Sequence, residues 1–324
     1  PMLTRAELLG QLMLNYKTPI AVAGTHGKTT TTSMLSHVLL AGEKDPTISV
    51  GGILKAINGN IRVGNSDVFV TEACEYTNSF LHFFPKISII LNVEEDHMDF
   101  FKDIDDIRNS FHEFAKLLPE DGTLIINREI EKMDTITEGL SCRVITYGLT
   151  ECADYSAQNI TYDDMGRTSF DFYRYGEFAA HITLSVTGDH NVSNALSAIA
   201  AGELTAVPME AIQKGLLSFT GTNRRFEYKG EKNGFTIIDD YAHHPTEITA
   251  TLSSVKHYPH RETWCIFQPH TYTRTKAFFH EFAEALSLAE HFLLVDIYAA
   301  RETDTLGMSS ELLAEELKKS GADV

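Results

Sequence analysis

The 324-residue chain carries 27 Lys and Arg against 45 Asp and Glu, a formal net charge of −18. That balance argues against nucleic acid or an anionic bilayer as partner, since both want clustered Lys and Arg, while its 43% of hydrophobic residues can fill the cores of about two domains. Four scattered cysteines, Cys74, Cys142, Cys152 and Cys265, form no C-x-x-C and fit reduced cytosolic thiols rather than disulfides or zinc. With no signal peptide and no apolar run of the ~18 residues a membrane span needs, a soluble cytoplasmic protein is expected.

The run Pro19-Ile-Ala-Val22 predicts a buried strand, followed by Gly24-Thr-His-Gly-Lys-Thr-Thr-Thr-Thr32. Gly24 and Gly27 permit a sharp turn that lets backbone N–H groups face a phosphate. Lys28 can set a positive charge on the β- and γ-phosphates, and the Thr29 hydroxyl can hold Mg²⁺. A helix starting at Thr29, with Met34, Leu35, Val38 and Leu39 on one side and Gly42 as its stop, would place the anion at a helix N-terminus. The spacing departs from the usual P-loop, with two residues between the glycines instead of four.

Short β-like runs (20–23, 67–71, 87–92, 123–127, 143–147) alternate with helical stretches such as 104–118, where Ile107, Phe111, Phe114 and Leu118 recur at helical spacing. Alternation of this kind predicts a mostly parallel sheet covered on both faces. Residues 155–187 change to a period of two, as in Ser169-Phe-Asp-Phe-Tyr173 and His181-Ile-Thr-Leu-Ser-Val186, which predicts antiparallel hairpins. Helices over 190–206 and 209–217 follow. Near Gly221-Thr-Asn223 the pattern restarts, with strands over 235–238, 263–267 and 291–295 and helices over 245–255 and 275–288. The expected architecture is α/β: a central P-loop-type, mostly parallel sheet domain with a small antiparallel part over 1–220, then a Rossmann-like α/β domain over 221–324. The ends read as cut. Residue 1 is proline, and a helical pattern over 309–320 stops at Gly321 before Asp323-Val324, where a βαβ unit would begin its next strand.

Polar crowns follow several of these strands. Thr71-Glu-Ala-Cys-Glu75 offers Glu72 or Glu75 to Mg²⁺ at the C-terminal end of a parallel strand, although two solvated acids are the plainer alternative. His97 stands between Asp96 and Asp99, acids able to orient an imidazole. Asn191 and Asn194 lie three apart at the start of an Ala-rich helix and can present amides to a base edge; capping would explain one of them only. Arg224 and Arg225 mark the junction of the two domains. Beyond it, Asp240, Tyr241, His243 and His244 precede a helix begun near Pro245. His270 and Arg274 crown the next strand, and Tyr298 and Arg301 the one after, with Ala299 and Ala300 suited to wall a pocket for a small amino acid.

The shortened loop resembles the Mur ligase and folylpolyglutamate synthetase superfamily. Further ordered motifs, from Asp96-His-Met-Asp99 through Arg224-Arg-Phe226, Asp239-Asp-Tyr-Ala-His-His-Pro-Thr-Glu247 and Gln268-Pro-His-Thr-Tyr-Thr-Arg274, are similar to the alanine-adding branch of the Mur ligases. The resemblance spans the chain from Arg5 onward. It implies ATP and Mg²⁺ as cofactors, with Gly24, Thr25, His26, Gly27, Lys28, Thr29 and Thr30 around the phosphates and Thr29, Glu75 and His97 on metal. It assigns Asn191 and Asn194 to adenine, Arg225 to the phosphates or ribose of ADP, and Asp240 and Tyr241 to the nucleotide. His244, His270 and Arg274 would face the amino acid, joined by Tyr298 and Arg301. Two departures stand out: Asn109-Ser-Phe-His112 offers no lysine for the carbamylation seen in many relatives, and Thr271 replaces a common arginine. The family's N-terminal uridine-diphosphate-binding domain and the last part of its C-terminal domain have no counterpart here.

The implied reaction is ATP-dependent ligation of L-alanine to UDP-N-acetylmuramate through an acyl phosphate, with Lys28, His97, His244, His270 and Arg274 as the catalytic set. Three rivals are a ligase adding a whole tripeptide to the same sugar nucleotide, folylpolyglutamate synthetase, and a P-loop kinase or switch with no ligation. The His-His-Pro-Thr-Glu crown opposes the second, and the shortened loop with the second domain's crowns opposes the third. Lys28→Ala is expected to weaken ATP binding and abolish turnover of the full-length enzyme, since no nearby cation replaces it; unchanged ATP affinity by calorimetry would overturn the phosphate-loop assignment.

Overall fold

The computed structural model describes residues 2–319; the expected strand start at Asp323-Val324 lies outside them. The chain divides into two compact units, Pro1–Thr161 with Arg167–Asn223, and Tyr162–Gly166 with Arg224–Val324.

In the first unit α1 (Arg5–Met13) precedes β1 (Thr18–Ala23), which runs through the glycine loop into α2 (Lys28–Ala41). There follow β2 (Thr47–Leu54), β3 (Gly59–Arg62), β4 (Val68–Ala73), β5 (Ile87–Ile90), α3 (Ile104–Ala115), β6 (Thr123–Asn127), α4 (Met133–Thr137) and β7 (Arg143–Gly148). Then come β8 (Tyr155–Tyr162), β9 (Arg167–Arg174), β10 (Glu177–Thr187), α5 (Asp189–Leu204) and α6 (Met209–Ser218). Among the described residues these strands form one ten-stranded sheet in the order β10-β9-β8-β7-β6-β5-β1-β4-β2-β3. From β8 across to β2 the pairings are parallel, while β10 against β9 and β3 against β2 are antiparallel. This is the mostly parallel α/β sheet with an antiparallel part that the alternation predicted.

Strand alternation sends Ile20 and Val22 of β1 to one face, where they meet Met34, Leu35 and Val38 of α2 and the alanines of α5. Ala21 and Ala23 point to the other face, against Phe80, Phe111 and Phe114. Both faces are covered, as a parallel sheet requires. The central position of β1, between β5 and β4, brings the loops after three strand ends to one edge.

In the second unit β11 (Glu227–Lys232) and β12 (Phe235–Asp239) pair antiparallel, and β13 (Trp264–Phe267) pairs in parallel with β14 (His291–Leu294). The helices are α7 (Pro245–Val255), α8 (Tyr272–Ala277), α9 (Phe279–Leu286) and α10 (Ser310–Lys319), and Ile248, Phe267, Phe282, Phe292 and Leu313 form the core. Two expectations change here. Strand 235–238 opens not a parallel crossover but a hairpin with β11, because Asn233 and Gly234 both take positive φ (54° and 81°), the signature of a two-residue hairpin turn. The single helix over 275–288 is two, since Phe278 leaves helical geometry at φ −115°, ψ 33° and joins the core cluster. No helix of the described residues is long and apolar enough to cross a membrane.

Phe80 anchors the turn that follows β4. It is fully buried, stacked on Phe114 at 4.6 Å and edge-on to Phe111 at 5.4 Å. Phe80→Ala is expected to remove about 3–5 kcal/mol of stability, read as a lower denaturant midpoint with an unchanged slope; a loss under ~1 kcal/mol would show that the site collapses around the cavity.

Candidate active site

Gly24 and Gly27 both have left-handed φ (144° and 83°). A Cβ on Gly24 would meet the Leu91 Cβ at 2.9 Å, and one on Gly27 would meet the Asn194 Oδ1 at 3.0 Å, so the loop lies against β5 and α5 with no room for a side chain. Gly27 is the N-cap of α2 and supplies no side-chain cap. The first-turn amides of Lys28, Thr29 and Thr30 therefore lack intrahelical acceptors and form an anion-binding terminus. The rest of the loop is tied down from β5: Thr25 N–H donates to the Asn92 carbonyl (3.2 Å), and the Asn92 side chain accepts the His26 N–H and donates to the His26 carbonyl.

Lys28 reaches across the loop. Its Nζ donates to the Gly24 and Thr25 carbonyls and to both Glu75 oxygens at 3.2 and 3.0 Å. Burial would push its pKa down, but Glu75, with Cys74 and Glu72 adding to it, outweighs that and holds it above the usual 10.5. Lys28 thus stays charged through the neutral range.

Glu75 also faces His97, whose Nε2 lies 3.8 Å from Glu75 Oε1 and 3.8 Å from Asp96 Oδ2. The imidazole packs against the Tyr76 ring at 4.5 Å with a tilt of 32°, and Tyr76 O–H donates to Asp99 at 2.8 Å. His97 itself takes a left-handed φ of 54°, which brings its ring to Glu75 at a conformational cost. Thr29 goes elsewhere: its hydroxyl donates to Glu72 at 3.1 Å, and Glu72 also accepts the Gly51 N–H. The expected metal trio is therefore divided, Glu75 with His97 and Thr29 with Glu72. Both groups offer the oxygen-rich donors that suit a hard divalent cation.

Asn191 and Asn194 are buried on the face of α5 that backs the loop. Asn191 Nδ2 donates to the Thr187 carbonyl (2.7 Å), and Asn194 Nδ2 points to Asn191 Oδ1 (3.4 Å).

In the second unit the crowns form one row. The guanidinium carbons of Arg224 and Arg225 lie 5.0 and 5.7 Å from the Tyr241 ring centroid, a cation–π arrangement. Tyr241 meets His243 at 5.1 Å, His243 meets His270 at 5.9 Å, and His270 meets Tyr298 at 5.5 Å. Arg274 Nη1 donates to His270 Nδ1 at 3.2 Å, while Arg225 pairs with Glu247 at 3.2 Å. Asp240 holds the turn, accepting the Phe226 and Ala242 N–H groups and the Thr251 hydroxyl; burial pushes its carboxyl above the usual range against those bonds. His244 is buried, accepts the Thr246 N–H as N-cap of α7 and meets Phe278 at 4.7 Å. Thr271 is the N-cap of α8, its hydroxyl accepting the Arg274 N–H. Arg301 is exposed.

Sequence reasoning did not single out Asn92, Tyr76, Glu247 or Glu302, which accepts the Tyr272 and Thr273 N–H groups, and it gave His243 no role. All of them lie inside or beside the motifs and crowns read from the sequence. Their signal was position, a polar residue just past an apolar strand.

Comparison with known proteins bears directly on this geometry. The Mur ligase middle domain matches residues 22–202, and the Mur ligase glutamate ligase domain matches residues 224–324. A UDP-N-acetylmuramate–L-alanine ligase of Lachnospira eligens is 60% identical over all of this chain, which covers 71% of that protein. The crystal structure of a UDP-N-acetylmuramate–alanine ligase from Thermotoga maritima superposes with a TM-score of 0.79 at 28% identity, covering 97% of this chain and 67% of the other. A murein peptide ligase from Psychrobacter arcticus gives 0.68 at 29% identity, over 89% and 65%.

Proposed function

Since this chain belongs to the Mur ligase family, we propose that it joins L-alanine to the lactyl carboxylate of UDP-N-acetylmuramate, converting ATP to ADP and phosphate, in the cytoplasm where such precursors are made. The observation that carries the reading is the shortened phosphate loop, with Lys28 and the free α2 terminus facing the strand-end carboxylates, in a chain 60% identical to a ligase of that name.

A carboxylate oxygen attacks the γ-phosphorus, the bond to the ADP oxygen breaks, and an acyl phosphate forms. The amine of L-alanine then adds to the activated carbonyl, loses a proton and expels phosphate, so one amide, one ADP and one phosphate result. Catalysis of the first step is positioning and charge stabilisation. The Lys28 ammonium and the amides of Lys28, Thr29 and Thr30 are the donors for the phosphates. Mg²⁺ would be held by Thr29 with Glu72 and by Glu75 with His97, and when bound it neutralises charge on the transferring phosphoryl group. In the second unit, Arg225 and Tyr241 suit the nucleotide, while His270, Arg274, Tyr298 and Arg301 suit the amino-acid carboxylate. His244, buried as the α7 N-cap, acts by shaping that turn.

A tripeptide-adding ligase is the second reading, favoured by the likeness to the murein peptide ligase at 29% identity; the 60% identity to the alanine-adding enzyme outweighs it. With UDP-N-acetylmuramate and ATP, L-alanine is expected to give ADP and a new amide, and the tripeptide neither; the reverse preference would replace the main reading. Glu72→Gln and Glu75→Gln are each expected to raise the Mg²⁺ concentration for half-maximal rate more than the KM for L-alanine. Metal titrations that overlay the wild type in both would remove the carboxylates from the metal.

A further inference from the structure

We propose that Asn92 is a positioning residue for the phosphate loop: it stands in for the missing loop residues and decides which backbone N–H groups face the anion. The inference rests on the nucleotide reading of that loop. A P-loop with four residues between its glycines can wrap a phosphate with its own length. Here two residues, Thr25 and His26, span the gap, and they are held from the neighbouring strand instead.

The contacts run in both directions. Asn92 Oδ1 accepts the His26 N–H at 2.7 Å, and Asn92 Nδ2 donates to the His26 carbonyl at 3.1 Å, so one side-chain amide pairs with the N–H and C=O of one residue, as a residue of an adjacent antiparallel strand would. The Thr25 N–H donates to the Asn92 carbonyl at 3.2 Å. In return the Thr25 hydroxyl accepts the Glu94 N–H at 3.0 Å. The base of this clamp is itself fixed: Leu91 N–H donates to the Ala23 carbonyl at 3.0 Å, and Asn127 Nδ2 donates to the Leu91 carbonyl at 3.1 Å. The ends of β1, β5 and β6 are thus joined before any ligand arrives.

The consequence is selective. Thr25 and His26 point their N–H groups into the clamp, away from phosphate. The amides directed at the anion are those of Lys28, Thr29 and Thr30, at the uncapped start of α2. The Lys28 ammonium is brought to the same place by the Gly24 and Thr25 carbonyls, and the clamp sets the orientation of the second of these. Without the Asn92 side chain the two peptides flanking His26 lose its amide as partner, and that part of the loop must be ordered anew each time ATP binds.

The test compares the wild type with Asn92→Ala and Asn92→Asp, using ATP·Mg²⁺ as the probe. Asn92→Ala is expected to raise the Kd and KM for ATP by about tenfold to a hundredfold, with the KM for L-alanine and the thermal midpoint unchanged. Backbone hydrogen exchange at His26 should become fast. Asn92→Asp keeps the acceptor, so His26 remains protected, but its second oxygen opposes the His26 carbonyl and ATP affinity still falls. Wild-type affinity in Asn92→Ala would overturn the proposal while leaving the nucleotide reading intact. So would a joint rise of both KM values in step with a lower thermal midpoint, the mark of a purely structural role. A wild-type chain that binds no ATP would overturn the nucleotide reading itself, and the clamp with it. Should the alanine variant fail to fold, the aspartate variant decides: unchanged ATP affinity there counts against the clamp.

Discussion

The ion pair between Lys28 and Glu75 is the constraint on which the edge carrying the candidate site depends. The Glu75 side chain is 3% exposed and that of Lys28 17%. Removing either partner would strand a charge, which costs far more than the pair itself contributes. The pair joins the loop after β1 to the turn after β4, and through Glu75 it reaches His97 on the arm after β5. Three strand ends that are neighbours in the sheet become neighbours in chemistry.

That pair works only because the backbone beneath it is rigid. β1 lies between β4 and β5, with Val22 opposite Glu72 and Ala23 opposite Ile90, so the parallel register sets the height of each crown above the sheet. Phe80, buried between Phe111 and Phe114, pins the turn carrying Glu75 and Tyr76. The glycine loop, too short to hold its own shape, is held from β5. In the second unit the same logic uses rings: Tyr241 and His243, and His243 and His270, meet edge to face, while His270 and Tyr298 meet tilted by 34°, and aromatic pairs of this kind add specific orientation to apolar burial.

Much of this was legible in the residues. The apolar run before Gly24, the glycines and the helix after Lys28 are local facts of backbone conformation, and they folded as read. The polar crowns were legible because a cluster of acids, histidines and amides just past an apolar strand has no place in a core. The hairpin at Asn233-Gly234 was equally local but was masked by the apolar run of β12, whose period could not tell a parallel strand from half of a ribbon. The break at Phe278 was not legible, since helical spacing runs on through it and only the demand of the core turns the chain.

By itself, then, the sequence determined the strand–loop–helix, the alternation that makes a doubly covered parallel sheet, and the membership of each crown, because these depend on residues a few positions apart. Pairing was decided by the tertiary structure. Glu72 and Glu75 are chemically identical and three residues apart; one lies within β4 and meets Thr29, the other lies past it and meets Lys28 and His97. Asn92, one polar residue among several after β5, acquires its meaning from the peptide of His26, 66 residues away in the chain. Those choices follow from strand register and from left-handed turns at Gly24, Gly27 and His97, and register is a property of the folded sheet, beyond the reach of any single segment.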